Sequence, residues 1–180
     1  MASVYIALLH HPVYNKRKDV VSTCITGFDL HDIARTALTF GVKKYYVVNP
    51  LPAQRQFAKR IFEFWMDEGS LEFNWTRAEA FKLISIKEEL GQVLAELPKG
   101  TKVIATSAQP QGSLQYAELK DEIKSSKGNY LILFGTGWGL AEGVFKKVDA
   151  TLEPIDGVSG YNHLPVRSAV AIILDRLLSR

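Results

Sequence analysis

The sequence predicts an α/β fold, a mainly parallel sheet with helices on both faces. Three observations point there. Apolar runs of four to six residues alternate with amphipathic stretches from one end of the chain to the other. Glycine, proline and capping residues punctuate most of the boundaries. The chain has 180 residues, 47% hydrophobic and 23% charged, an ordinary balance for one globular domain with a full core, so residues 1–180 are read as a single domain.

The elements follow in order. "VYIALLH" (4–10) and "YYVVN" (45–49) have the length and apolar content of buried strands, and "DLHDIARTALTFG" between them reads as a helix from Asp29 to Gly41. "AQRQFAKRIFEFWMDEG" places Phe57, Ile61 and Phe64 on one helical face. "FKLIS" reads as a third strand, and Ser85 with Glu88 three residues on has the spacing of a capping box opening a helix that runs to about Leu97. "TKVIATSA" is a further strand and "SLQYAELKDEIKSS" a helix closed by Gly128. "NYLILF" follows, then a run of glycines and "ATLEPI", and last "LPVRSAVAIILDRLL" with Pro165 at a helix start. This final helix is apolar around more of its circumference than a one-sided helix needs, which predicts burial deep in the core or between subunits.

Composition excludes several classes. The longest apolar stretches, "AVAIIL" and "YLILF", fall far short of the roughly 20 residues that cross a bilayer. The N-terminus lacks the basic region and cleavage site of a signal peptide, so a cytoplasmic location without a membrane partner is expected. A single Cys24 excludes an internal disulfide and reads as a buried structural thiol. The four histidines, His10, His11, His31 and His163, have no partners at zinc spacing, so no metal site is expected. Net charge is +3, but residues 1–60 carry nine Lys/Arg against three Asp/Glu, while residues 61–180 carry thirteen against sixteen. This early basic excess includes Lys16, Arg17, Lys18, Lys43 and Lys44, and it suits either a polyanion such as RNA or a solvated face.

The stretch "LILFGTGWGLAEGVF" (131–145) carries the chemistry. Ligands of parallel α/β sheets bind outside the carboxyl ends of the strands, and Gly135, Gly137 and Gly139 directly follow an apolar strand. Three glycines within five residues exceed what one tight turn requires, which suggests close approach of backbone to a ligand. The spacing is not the dinucleotide fingerprint G-x-G-x-x-G, and no Gly-Lys-Ser/Thr follows, so neither nicotinamide dinucleotide nor nucleoside triphosphate binding is indicated. "GVSGY" (157–161) lacks the spacing of a hydrolase nucleophile elbow.

Three segments, taken in order, resemble the SPOUT superfamily of RNA methyltransferases, in particular its ribose 2′-O-methyltransferase branch. They are "HDIARTALTFGVKKYYVV" (31–48), "LFGTGWGL" (133–140) and "IDGVSGYNHLPVRSAVAIILDRL" (155–177). The whole chain also looks like a small stand-alone group of SAM-dependent RNA methyltransferases within that superfamily. The resemblance implies a C-terminal trefoil knot, one of the rare exceptions to unknotted topology. It also implies S-adenosylmethionine (SAM) as cofactor, tRNA or rRNA as substrate, and a homodimer joined through the C-terminal helix.

By the same resemblance, two late loops wall the cofactor pocket. Leu133, Ile155 and Leu164 would supply apolar surface, and Gly135, Gly137, Gly139 and Gly157 close approach, with Phe134, Thr136, Leu140, Gly160, Tyr161 and Ser168 completing the shell. Leu133 and Ile155 read equally as core. The Arg of the first motif corresponds to Arg35, whose guanidinium would bind RNA phosphate and stabilise a developing alkoxide, or else pair on its helix surface. Where the branch often has Glu, this chain has Gly137, and where it has Ser-Leu-Asn, this chain has His163-Leu164-Pro165. Asn162 and His163 crowd that loop; His163 either serves the acceptor or caps the last helix. Tyr14, Tyr45 and Trp138 are candidate base-stacking surfaces or core. The resemblance implies ribose 2′-O-methylation of a structured RNA, with base-nitrogen methylation or a catalytically lapsed SAM- and RNA-binding module as the alternatives.

Overall fold

A computed structural model describes residues 2–109, 114–159 and 161–179. In chain order the elements are β1 (Ser3–Leu9), β2 (Val13–Tyr14), β3 (Val20–Val21), α1 (Gly27–Thr39), β4 (Lys44–Val48), α2 (Pro52–Met66), α3 (Glu68–Phe73) and α4 (Trp75–Phe81). There follow β5 (Ile84–Lys87), α5 (Leu90–Glu96), β6 (Lys102–Ala105), α6 (Tyr116–Ser125), β7 (Asn129–Gly135), α7 (Glu142–Phe145), β8 (Ala150–Thr151) and α8 (Val166–Leu178). Six strands form one sheet in the order β5-β4-β1-β7-β6-β8, and every pair in it is parallel. β2 and β3 make a separate antiparallel hairpin.

The strands are apolar throughout because both faces of the sheet are covered. Period-two alternation sends Ile6, Leu8, Tyr45, Val47, Ile132 and Phe134 into one core with residues of α1, α2, α4, α6 and α8. Ala7, Leu9, Tyr46, Val48, Leu131 and Leu133 enter a second core with residues of α5, α7 and the hairpin. β1 lies between β4 and β7, so its carboxyl end is flanked by theirs, and the loops that follow these strands start side by side, where parallel α/β sheets place their sites.

Local signals and tertiary packing agree at most positions and disagree at Ser85 and Cys24. Ser85 does not open a helix: it lies in β5, paired with Tyr46, and the helix starts at Leu90 after Glu89. Parallel pairing from Ile84 to Lys87 against β4 outweighs a capping box worth about 1 kcal/mol. Instead, Glu118 accepts a hydrogen bond from the backbone of Gln115, at the start of α6. On α2, Phe57, Ile61 and Phe64 do share one face; Phe57 and Phe64 are exposed and Ile61 partly buried, while Ala58 and Trp65 are buried in the core. Pro165 stands at the start of α8, as expected, in the N-cap position. Cys24 is exposed on the segment leading to α1, not buried.

α8 packs between α1 and α6 against β7, burying Val170, Ile173, Leu174 and Leu177. Its broad apolar character is thus largely met within the fold. Truncating Leu174, fully buried there, leaves a cavity between two helices and the sheet; Leu174→Ala should cost about 2–5 kcal/mol in urea unfolding.

Candidate active site

A cavity of about 1330 Å³ opens at the carboxyl ends of the sheet. Its walls are the glycine bend after β7, residues 106–109 after β6, the segment before α1 and the loop leading into α8. Phe134, Leu140, Ile155, Leu164 and Ile173 give it apolar surface, while Asp29, Glu142 and Glu153 bring carboxylates and Lys18 a cation. Single small-molecule pockets run to about 1,000 Å³, so this one has room for a nucleoside-sized cofactor and a second reactant.

The glycine bend is shaped first by the protein itself. Trp138 N–H donates to the Tyr14 carbonyl at 2.8 Å, Tyr14 N–H to the Gly139 carbonyl at 2.9 Å, and Ala141 N–H to the Pro12 carbonyl at 3.1 Å. Gly137 has φ +60°, and a Cβ there would sit 2.8 Å from the Tyr14 carbonyl oxygen. A Cβ at Gly135 would meet Leu140 at 2.9 Å. Gly139, at φ +98°, has nothing within 4 Å of where its Cβ would be. Two of the glycines therefore admit neighbouring protein groups, and the third adopts a left-handed conformation beside open space.

Behind the bend runs a buried polar chain. The Thr136 hydroxyl donates to the Leu9 carbonyl at 3.3 Å and lies 2.5 Å from Thr23 Oγ1, which in turn lies 3.0 Å from His10 Nδ1. Asn49, also buried, donates to the Thr23 carbonyl at 2.9 Å. His10 is fully buried and its Nε2 has no partner. Burial pushes its imidazole down to about 4, against an opposing pull from Asp29. Asp29 itself accepts from the Thr26 hydroxyl at 2.6 Å, and Thr26 Oγ1 accepts from the Asp29 backbone as the N-cap of α1.

The expected cofactor and catalytic residues divide. Phe134, Gly135, Thr136, Gly137, Gly139, Leu140, Ile155, Asn162, His163 and Leu164 line the cavity together. Leu133 belongs to the core on the opposite face of the sheet. Gly157, Tyr161 and Ser168 do not line the cavity, although the Tyr161 ring lies 5.2 Å from that of His163. Gly160 lies outside the described residues. Asn162 Nδ2 donates to the Ala108 carbonyl at 3.1 Å, bracing the two loops against each other. His163 does not cap α8, whose N-cap position is Pro165; its ring instead meets Trp138 at 5.9 Å. Arg35 is exposed on α1, outside the cavity lining.

The basic residues separate in the same way. Lys16, Arg17 and Lys18 stand exposed on the turn of the hairpin, and Lys18 reaches the cavity. Lys43 and Lys44 lie at the opposite, amino-terminal end of β4. Lys44 pairs with Glu96 at 2.6 Å, Lys87 pairs with the same carboxylate, and hydrogen bonds from the two ammonium groups hold Glu96 down at about 2. Lys44 thus has a carboxylate partner within the fold. Tyr45 is fully buried and offers no stacking face, whereas Trp138 is 53% exposed. Thr23, Asp29 and Glu153 are lining residues that no sequence motif marks; only Asp29 carried a signal, as a helix start.

Two predictions follow from the bend and the chain behind it. Gly137→Ala forces the Tyr14 carbonyl away and should destabilise the fold by about 1–3 kcal/mol, with faster hydrogen exchange at the Trp138 and Tyr14 amides. For His10, the unfolded chain binds a proton near pH 6.5 that the folded chain refuses until about pH 4. Stability present above pH 6.5 should therefore fall as pH drops through that interval, by roughly 3 kcal/mol at most. His10→Gln should flatten that part of the unfolding profile.

Comparison with known proteins supplies the remaining evidence. The profile of a family described as SAM-dependent RNA methyltransferase matches residues 3–179. A protein of Aquifex aeolicus is 40% identical over 183 residues, covering 99% of this chain and 89% of its own length. A tRNA (guanine-N(1)-)-methyltransferase of Oleidesulfovibrio alaskensis is 36% identical over 180 residues, covering 98% of this chain. This chain spans 42% of the length of that relative. Among solved structures, the SpoU methyltransferase AviRb from Streptomyces viridochromogenes superposes with a TM-score of 0.62 at 14% identity, covering 98% of this chain and 69% of its own.

Proposed function

The chain belongs to a family of SAM-dependent RNA methyltransferases, and from that premise we propose that it methylates a ribose 2′-hydroxyl of a structured RNA such as tRNA or rRNA. The observation that carries this reading is the shared cavity. The glycine bend and the loop before α8, both similar to ribose methyltransferase motifs, wall one chamber large enough for cofactor and acceptor.

The residues present fit SAM. Phe134, Ile155 and Leu164 offer apolar surface to an adenine ring, the open space beside Gly139 admits a ligand close to the backbone, and the lining carboxylates favour a sulfonium charge. When bound, SAM supplies an electrophilic methyl group for in-line displacement. The chain's own part is alignment and charge. His163, at the mouth and engaged with Trp138, orients the acceptor or takes its proton. Asn162 braces the loop that carries His163. Arg35 stabilises charge on the acceptor oxygen, and it does so from a second copy. Phe28, Asp32 and Arg35 share one stripe of α1, and Arg167 of α8 lies 5.6 Å from the Phe28 ring and 3.6 Å from Asp32. A homodimer joined over α8 and this stripe would cover Phe28, which is 69% exposed, and carry Arg35 toward the partner's cavity. Threading of the C-terminal segment through a trefoil knot belongs to the same reading.

A base-nitrogen acceptor is the second reading, favoured by the name of the Oleidesulfovibrio relative. That relative is more than twice as long as the shared region, so the named activity need not reside in it. Labelled SAM, RNA and mass spectrometry of the digested nucleosides separate the alternatives. A 2′-O-methylnucleoside is expected, N1-methylguanosine would establish the base-nitrogen reading, and SAM binding without transfer would indicate a lapsed enzyme. Arg35→Ala should lower turnover by about two to three orders of magnitude with SAM affinity unchanged; undiminished turnover would remove Arg35 from the mechanism.

A further inference from the structure

The mouth of the cavity has two unlike features. One is the turn of the β2–β3 hairpin, held by Asn15: its side-chain oxygen accepts from the backbone of Arg17 at 2.8 Å and of Asp19 at 3.0 Å, and its amide donates to Asp19 at 3.0 Å. Lys16, Arg17 and Lys18 project from this turn, and among the described residues none of them pairs with a carboxylate. Lys18 has φ 68°, the sole positive φ among the described non-glycine residues, and its ammonium sits 5.7 Å from the Tyr14 ring centre. Tyr14 is itself fixed at the rim, its hydroxyl accepting from the Glu142 backbone at 3.1 Å.

Near the same mouth, three aromatic rings cluster without being buried. His163 makes edge contacts with Trp138 and Tyr161, and Trp138 and Tyr161 are 53% and 72% exposed. Aromatic faces left in water beside a cavity can stack on a base, and an unpaired cation lining the same cavity complements a phosphate.

We propose that the mouth is a clamp for one unstacked nucleotide of single-stranded RNA, its base lying on the Trp138–His163–Tyr161 cluster and a flanking phosphate held by Lys18. This rests on the methyltransferase reading only in taking RNA as the ligand. The chemistry is selective for strandedness. A base inside a duplex keeps its faces covered by its neighbours, so the rings can engage it only in a loop, a bulge or a strand end. It is also tolerant of base identity, since each base presents a π face and no edge contact is needed for stacking. Because Tyr14 is bonded to both Trp138 and Gly139 through the backbone, the turn that carries Lys18 and the bend that carries Trp138 are joined directly. The hairpin thereby registers the RNA backbone against the cofactor wall.

Binding of a single-stranded oligoribonucleotide and of the same strand annealed to its complement tests this. The protein is saturated with S-adenosylhomocysteine so that no turnover occurs, and the titrations are repeated over a range of salt. The single strand should bind more tightly. Trp138→Ala should weaken it by about 5- to 150-fold, and Trp138→Phe should recover most of that loss. Lys18→Asn, which removes the charge and tolerates the left-handed backbone, should lower the slope of log affinity against log salt by about 0.7. Thermal unfolding and calorimetric SAM binding of each variant show whether a loss belongs to the clamp or to the fold. Equal binding of duplex, wild-type affinity in Trp138→Ala, or an unchanged slope in Lys18→Asn would overturn the clamp. Failure of the wild-type protein to bind SAM would instead overturn the functional reading, leaving the RNA measurements to judge the clamp.

Discussion

The contact between the Tyr14 carbonyl and Gly137 is the constraint on which the site depends. A backbone oxygen occupies the space that any Cβ would need, so residue 137 is glycine for the protein's own packing before any ligand is considered. That contact lets three backbone hydrogen bonds join the hairpin to the bend. The bend is consequently held in one shape, with Trp138 and the open flank of Gly139 on the cavity side. A cradle set in advance loses less entropy when a ligand enters than one that must order itself.

The same economy of construction extends inward. Thr136 joins the bend to β1 through the Leu9 carbonyl, and Thr23 and His10 continue the link to the segment before α1. His10 can lie fully buried because it is neutral at ordinary pH, which the low dielectric of its surroundings enforces. Walls contributed by the hairpin, the bend and the start of α1 thus share one polar seam, and the loop leading into α8 closes the cavity from the other side. Charge is arranged on a coarser scale. The Lys44, Lys87 and Glu96 cluster ties α5 to β4 and β5, while Lys16, Arg17 and Lys18 stand on the hairpin turn with no carboxylate partner among the described residues.

Much of this was legible in the residues. β1, β4, β6 and β7 are continuous apolar runs, and parallel strands covered on both faces have no other way to look. The glycine bend and the loop before α8 carry enough residue-level likeness to methyltransferase motifs that most of the expected pocket residues do share one cavity. The hairpin was not legible: two strands of two residues each, carrying a basic turn, leave no periodicity to read. The 85–88 capping signal failed because pairing with β4 acts at long range on a locally ambiguous stretch.

Sequence alone determined the class of fold, the place of the glycine bend and the family, since these depend on runs of apolar residues and on motif order. Which glycines serve packing and which border open space, which lysines pair with Glu96, and which aromatics stay in water were decided only by tertiary structure. The physical reason is that each depends on what lies across space. Gly137 is separated from Tyr14, and Lys44 from Glu96, by long stretches of chain, and nothing within either residue's own neighbourhood encodes the partner.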